Sequence, residues 1–220
     1  MTEWLDECRT RQGLYRFIGA AFRTPEPEHL DLLGAAIEFL DDRDLDRYAY
    51  SRQWRRLVST WPAEGEEPGL AVEHVRLFAS GMKGAPAPPV ESHYRVPTRG
   101  GGVAEFVAGL QREYRSMGLV SVGLAEAPDH VSTEFEVMSY LCGIEADAWE
   151  SDQGRLAWET LGLAGRFLDR HLSVWIPTFA HSIGDAQPLD FYLNLARLAH
   201  AFVIHDADFI RMLRREVESP

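Results

Sequence analysis

The sequence predicts an all-α protein, a single-domain bundle of about nine to ten helices over 220 residues. Three observations carry this prediction. Apolar side chains recur every three or four residues along most of the chain, which is the spacing of one face of an α-helix. Glycines and prolines separate these periodic segments, where they end one helix and allow the next to begin. No segment alternates apolar and polar residues as a half-buried strand would.

Four helices are predicted in the first half of the chain. Trp4, Tyr15 and Phe22 share one face of the first, which ends before Pro25 because the residue before a proline is disfavoured in helical conformation. The third ends at Pro62 for the same reason. In order, the four predicted helices span residues 4–24, 30–40, 44 to about 61 and about 69–80.

Residues 81–102 form the longest irregular stretch, rich in proline and glycine, and its glycines allow a hinge. Such a long loop inside a compact helical domain is usually functional or disordered. Leu77 and Phe78 lie at its entrance and Glu91 and Tyr94 within it, which favours a functional loop.

The second half of the chain is again helical. An amphipathic helix is predicted before Gly118, whose lack of a side chain suits the left-handed position after a helix. Asp206 or Asp208 is predicted to cap a short last helix ending near Glu216. The predicted segments are 103–117, 129 to about 150, 154 to about 172, a short piece at 173–183 that is kinked or started at Pro177, and a long pattern after Pro188.

The helix that begins at Asp129 has an unusual polar pair. Asp129 is a favoured N-cap residue. At about 100° per residue, His130 and Glu134 fall within the widened apolar arc of the helix. Buried polar groups are costly unless they are paired, so this pair predicts either a binding site or hydrogen bonds to the backbone or to an arginine.

Composition limits the function classes. The chain has 22 basic and 34 acidic residues, a net charge of −12, which disfavours nucleic acid and anionic lipid and favours a basic peptide partner. Its two cysteines, Cys8 and Cys142, form neither a disulfide framework nor a zinc motif. The acidic N-terminus does not resemble a signal peptide, and no apolar run is long enough for a membrane span, so we expect a cytoplasmic protein.

An enzyme is the alternative reading. His130 and Glu134, with His200 or His205 as partner, could serve a helical metal- or histidine-dependent hydrolase. No Glu-x-x-His pair lies inside a long helix, as di-iron bundles require, and no nucleophile-elbow, P-loop or Rossmann motif is present. We therefore predict no catalytic residue, no metal and no cofactor.

Short motifs follow one another in a definite order along the chain. The first group is Glu73-His74-Val75-Arg76-Leu77-Phe78 and Pro86-Ala87-Pro88-Pro89-Val90-Glu91-Ser92-His93-Tyr94, and the second is Pro128-Asp129-His130-Val131 and Glu134-Phe135-Glu136-Val137-Met138. Further landmarks are Phe167-Leu168-Asp169-Arg170-His171-Leu172, Trp175-Ile176-Pro177 and Phe191-Tyr192-Leu193-Asn194-Leu195-Ala196.

The ordered combination of these motifs resembles the TorD/DmsD/NarJ family of redox-enzyme maturation chaperones, and the resemblance covers about residues 10–205. Two departures are His74, where an aromatic residue is common, and Ala79-Ser80-Gly81, which replaces a usual Gly-Pro.

The resemblance implies a cytoplasmic, all-helical chaperone that binds the apo catalytic subunit of a molybdopterin-dependent oxidoreductase, often at its twin-arginine signal peptide. It would hold this client until the cofactor is inserted. The client enzyme and the choice between monomer and homodimer stay open. The residues implied to line or support the site are Leu77, Phe78, Glu91, Tyr94, Asp129, His130 and Glu134.

The residues and the resemblance together give one mechanism. A client segment is expected to enter an apolar groove between residues 81–102 and the start of the 129–150 helix. Its apolar part would contact Leu77 and Phe78, and its arginines would meet Asp129, Glu91 or Glu134 through charge-assisted hydrogen bonds.

Overall fold

The computed structural model describes residues 2–61, 67–79, 84–99, 102–119 and 126–218. Within these ranges the chain forms ten α-helices, one short 3-10 helix at Leu45–Arg47 and one isolated β-bridge, with no strand. The prediction of an all-α bundle is therefore confirmed. In chain order the helices are α1 (Thr2–Ala21), α2 (Pro27–Asp41), α3 (Ser51–Val58), α4 (Glu67–Phe78), α5 (Glu91–Arg99), α6 (Val103–Ser116), α7 (Val131–Glu150), α8 (Gly154–Arg170), α9 (Leu172–Asp185) and α10 (Asp190–Glu218).

Helix α7 lies at the centre of the molecule. It packs along most of its length against α1 on one side and α8 on the other. Its side chains are buried over much of their length because apolar and small residues cover more than one face. Gly19 of α1 allows a close approach, since a Cβ there would lie 2.9 Å from Cβ of Phe135.

Helix α10 is the second organising element. It packs against α9, α3 and α8, and it is continuous from Asp190 to Glu218. The predicted break at Asp206 or Asp208 is wrong. Asp206 is buried and accepts hydrogen bonds from Arg11 and Tyr15 of α1, so its carboxylate serves a contact between helices and caps none.

Several predicted boundaries also differ from the structure. The single helix expected over 44–61 is a 3-10 turn followed by the shorter α3. The expected irregular stretch 81–102 contains α5. Helix α8 ends at Arg170, and Pro177 lies inside α9 and does not begin it. Gly118 does take the predicted left-handed conformation, with φ of 79°.

Among the described helices, none combines the length and the apolar character needed to cross a bilayer.

Candidate functional site

The predicted site residues meet where the segment before α5 crosses the start of α7. The amide of Val131 donates to the carbonyl of Pro89 over 2.8 Å, and the amide of Glu91 donates to the carbonyl of Asp129 over 2.8 Å. These two bonds form the isolated bridge between Val90 and His130. The bridge fixes the register of the two segments, and it places α5 and α7 so that they start side by side.

Asp129 caps a helix, although not the one that the sequence suggested. Its Oδ2 accepts a hydrogen bond from the amide of Ser92, at the start of α5, over 3.2 Å. The predicted role as N-cap of α7 is therefore wrong. Asp129 is buried, and its carboxylate holds two helix starts together, because its own backbone carbonyl bonds the same turn of α5.

His130 occupies the N-cap position of α7 in place of Asp129. Its Nδ1 accepts a hydrogen bond from the amide of Ser132 over 3.2 Å, so this nitrogen carries no proton. Burial lowers the pKa of His130 below its ordinary value, and the neighbouring His74 lowers it further. The neutral ring that the cap requires is thus the form that its surroundings favour.

Leu77 and Phe78 lie inside the core and do not line an open groove. Leu77 has no exposed surface, and its carbonyl accepts a hydrogen bond from the amide of Ala87 over 3.0 Å. The Phe78 ring lies 6.0 Å from that of Phe179 on α9. Among the described residues, the segment that was expected to roof a groove is bound against α4 and α7. Residues 80–83 and 100–101 lie outside the described part of the chain.

Tyr94 links this aromatic cluster to the carboxylates. Its ring stacks on Trp175 of α9 with centroids 5.5 Å apart, and both rings contact Phe179. The indole Nε1 of Trp175 donates to Oε2 of Glu134 over 2.9 Å. One helix, α9, thereby contacts both the apolar and the acidic parts of the predicted site.

Glu134 is a fully buried carboxyl group with one oxygen unpaired. Its Oε1 has no hydrogen-bond partner among the described residues. Burial raises the pKa of Glu134 well above its ordinary value, and the nearby charge of Glu91 raises it further. A raised pKa favours the protonated form, in which the second oxygen can donate toward Glu91.

Glu91 is equally buried but is kept ionised. It forms an ion pair with Arg95 one turn further along α5, and its Oε2 lies 2.8 Å from Nδ1 of His171. Burial alone would raise the pKa of Glu91, but the hydrogen bonds from His171 and Arg95 outweigh it and lower the pKa. The two carboxyl groups of Glu91 and Glu134 therefore differ in charge because they differ in partners.

His171 connects the buried carboxylates to the surface. Its Nε2 lies 3.2 Å from Oε2 of Glu113 on α6, which is partly exposed. Burial alone would lower the pKa of His171, but hydrogen bonds with Glu113 and Glu91 outweigh it and raise the pKa. A continuous series of interacting groups thus runs from Glu113 through His171 and Glu91 to Glu134. We call these four residues, together with Arg95, the site cluster.

The outer end of the site cluster opens into a cavity of about 640 Å³. Arg95, Glu113 and His171 form part of its wall. The rest of the wall is mixed in character. Its apolar part comprises Val96, Phe106, Leu110 and Val174, and its further charged residues are Glu105, Arg112, Asp169 and Arg170.

Four residues at the site were not among those predicted. Three of them, Glu113, Arg95 and His171, complete the site cluster, and Trp175 donates a hydrogen bond to it. His171 and Trp175 were visible in the sequence only as landmarks of the family resemblance. His171 and Trp175 are four residues apart, which places them on one face of a helix. Combined with a pair such as Glu91 and Arg95 at the same spacing, this pattern could have indicated a polar contact between helices.

The residues proposed for the alternative hydrolase each contact a different group of neighbours. His130 caps α7, and Glu134 bonds Trp175. His205 packs against the rings of Tyr48 and Tyr50, while His200 lines a separate cavity beside α3. Within the described ranges, no three histidine, cysteine, aspartate or glutamate side chains are grouped to hold a metal ion.

Comparison with known proteins identifies a family. Residues 42–181 match the model of the family described as nitrate reductase delta subunit, which is more than half of the chain. A relative from Aeromonas salmonicida (strain A449), named chaperone protein TorD, is 33% identical over 95 residues, which are 43% of each protein. A chlorate reductase assembly chaperone protein from Ideonella dechloratans is 34% identical over 140 residues.

These matches differ in their extent. The match to the Ideonella protein covers 60% of this chain and 67% of that relative, whereas the TorD match covers less than half of the relative's length. A crystal structure of a redox enzyme maturation protein from Archaeoglobus fulgidus has the same fold, with a TM-score of 0.57 and 20% identity over 88% of this chain and 93% of that one. The chain therefore belongs to the nitrate reductase delta subunit family, the NarJ/TorD group that its motifs resemble.

Proposed function

We propose that this protein is a cytoplasmic chaperone that binds the apo catalytic subunit of a molybdopterin-dependent oxidoreductase. It assists cofactor insertion and assembly before the client is exported, and it recognises the client's twin-arginine signal peptide where one is present. The observation that carries this proposal is family membership, since two relatives are named as chaperones, one of them for chlorate reductase assembly. The chain itself catalyses no reaction in this role, so it needs no catalytic residue or cofactor.

The site cluster supplies the chemistry for an arginine-bearing client. Glu91 already holds one guanidinium, that of Arg95, within the protein. Guanidinium and carboxylate match each other in planar geometry, and a client arginine presents the same group. In this proposal a client arginine enters the cavity beside Glu113 and takes the place of Arg95 on Glu91.

Exchange of one arginine for another suits a chaperone that must release its client. Removing a partner from a buried carboxylate without replacement would be strongly unfavourable. Because Arg95 also donates to the backbone carbonyl of Arg170 over 2.6 Å, it keeps a partner when it leaves Glu91. Both the free and the bound states therefore keep the buried charge of Glu91 compensated.

The remaining predicted residues support this exchange. Asp129 and His130 fix the starts of α5 and α7, and hence the position of Glu91 relative to Glu134. Leu77, Phe78 and Tyr94 form the apolar layer beneath them. The apolar stretch of a signal peptide would contact the apolar wall of the cavity, where Phe106 and Val174 lie.

Calorimetric titration with a synthetic twin-arginine signal peptide tests the proposal. We expect Glu91→Gln to weaken binding about tenfold or more, because one charge-assisted hydrogen bond contributes about 1.5–3 kcal/mol. Replacing both client arginines with lysine should weaken binding to a similar extent. Arg95→Gln should strengthen it, since the internal competitor is removed.

The matched control is Glu159→Gln, which removes the same charge at an exposed i,i+4 pair with Arg155. It should leave peptide affinity unchanged. Equal affinities of the wild-type protein, Glu91→Gln and Glu159→Gln would exclude the site cluster as the binding site. Failure of the wild-type protein to capture the apo catalytic subunit would contradict the proposed function itself.

A further inference from the structure

A second cavity, between α3 and α10, differs from the first in its charge. It has a volume of about 480 Å³ and shares no lining residue with the cavity at the site cluster. Its charged or titratable lining residues are Arg52 and Arg56 of α3 and Arg197 and His200 of α10, and no aspartate or glutamate lines it. In a chain with 34 acidic and 22 basic residues, this local excess of positive charge is unexpected.

The three arginines of this cavity have no carboxylate partner among the described residues. Most other arginines of the described chain form ion pairs, including Arg55, the immediate neighbour of Arg56, which contacts Asp46 over 3.5 Å. Arg52, Arg56 and Arg197 are exposed, so their charges are available to a ligand. Grouped cations of like charge repel each other, and an anion between them relieves that repulsion.

The helix spacing directs these side chains to one place. Arg52 and Arg56 are four residues apart on α3, and Arg197 and His200 are three apart on α10, so each pair lies on one face of its helix. The two helices pack against each other. Asn194 stays fixed at the inner edge of the cavity, because its Nδ2 donates to Oγ1 of Thr60 over 3.3 Å.

Gln53 of α3 also lines the cavity. Its Oε1 is buried and has almost no accessible surface, so it is not offered to a ligand in the cavity. The polar groups that the site offers are therefore mainly the guanidinium groups, which suit an anion.

We propose that this cavity binds a phosphorylated small molecule. Arginine forms paired hydrogen bonds with phosphate oxygens, and a dianionic phosphate fits a site with three permanent positive charges better than a single carboxylate does. The volume of the cavity lies within the range of small-molecule sites. The inference stands apart from client binding, since neither Glu91 nor the cavity beside it is involved.

Titration with inorganic pyrophosphate tests this inference directly. We expect millimolar pyrophosphate to raise the unfolding temperature of the wild-type protein in proportion to site occupancy. Arg56→Gln and Arg197→Gln should each weaken binding about tenfold, which corresponds to about 1.4 kcal/mol.

Arg55→Gln is the matched control, since it removes the same charge from the same helix outside the cavity. It should bind pyrophosphate as the wild-type protein does. The inference is overturned if pyrophosphate has no more effect than sodium chloride of equal ionic strength, or if Arg55→Gln and Arg56→Gln respond alike. Arginine-dependent binding of an oligo-glutamate peptide, without binding of pyrophosphate, would also overturn it and would assign the cavity to an acidic polypeptide.

Discussion

Two buried charge clusters of this protein differ in how completely their polar atoms are paired. The first, which we call the core cluster, joins α1, α7 and α10. Nε and Nη2 of Arg11 donate to the two oxygens of Asp206, Nη1 donates to Glu145 over 2.8 Å, and the Tyr15 hydroxyl donates to Asp206 over 2.6 Å. All four side chains are almost completely buried.

The site cluster contains similar charged groups, but they are less completely paired. One of its carboxyl oxygens, Oε1 of Glu134, lacks a partner unless that group is protonated and donates toward Glu91, and its outer member Glu113 reaches a cavity. In the core cluster, Asp206 raises the pKa of Arg11 against the effect of burial, and burial raises the pKa of Tyr15, so the guanidinium stays charged and the phenol stays neutral. In the site cluster, pKa values shift in opposite directions, so its charge state can respond to pH and to a partner.

Removing the anion of the core cluster should have the largest effect. Asp206→Ala leaves the buried guanidinium of Arg11 with only Glu145, and we expect a loss of about 3–5 kcal/mol in the free energy of unfolding. Urea denaturation monitored by circular dichroism measures it. Asp208→Ala is the control on the same helix. It removes an exposed carboxylate paired with Arg211, and it should change stability by less than about 0.5 kcal/mol.

Equal effects of the two aspartate substitutions would show that the core cluster does not stabilise the bundle.

Peptide affinity offers a further distinction between the clusters. Under conditions in which Asp206→Ala remains folded, it should bind the signal peptide normally, because the core cluster has no contact with the cavity at Glu113.

Replacing Glu134 with a neutral residue should have an intermediate effect on the free energy of unfolding, and it should stabilise the protein. The folded-state pKa of this acid is raised, so folding retains a proton that the unfolded chain releases above about pH 4.5, and stability falls as pH rises. Glutamine removes this penalty and can still accept from Trp175. We expect Glu134→Gln to gain about 1–3 kcal/mol at pH 8 and to lose that advantage toward pH 4.

The control for this substitution is Glu150→Gln, at the exposed end of the same helix, where Glu150 pairs with Arg9. Its stability should follow that of the wild-type protein at every pH. A pH-independent destabilisation by Glu134→Gln would indicate that Glu134 is ionised in the folded protein, contrary to the raised pKa.

The sequence predicted the helices better than it predicted their polar contacts. Apolar spacing identified most of the elements, because that pattern reports which face of a helix is buried. Residue type alone predicted Asp129 as the N-cap of α7. In the structure, the bridge between Val90 and His130 places its carboxylate at the start of α5. Local propensity cannot indicate which of two adjacent helix starts a side chain will serve.

The missed features depend on contacts between distant parts of the chain. Helix α5 contains Pro97 and lies in a proline-rich region, so its sequence resembles a loop, but Asp129 and the Glu91–Arg95 pair stabilise it. Asp206 resembled a cap because its partner Arg11 is 195 residues away. Residue spacing identified Glu134 as a buried acid. Its unpaired oxygen could not be predicted, because it depends on which atoms of α9 reach the carboxyl group.

The smallest expected effect is at the outer end of the site cluster. Glu113→Gln removes one of the two carboxylates that raise the pKa of His171, so we expect that pKa to fall, as measured by NMR titration of the ring. A raised histidine pKa stabilises the fold fully below about pH 6.5 and loses this effect as pH rises through the folded-state value. The variant should therefore be less stable by about 0.5–1 kcal/mol between pH 5 and 6.5, and nearly equal to the wild-type protein at high pH.

Glu105→Gln is the matched control for Glu113→Gln. Glu105 lies on the same helix and lines the same cavity, but it forms no ion pair with a described residue. Its substitution should leave the titration of His171 unchanged. If both variants shift the pKa of His171 equally, the general negative potential of the cavity sets that pKa, and the paired contact with Glu113 does not. Unequal shifts would show that the site cluster extends to the cavity wall, where a client arginine could change its charge state.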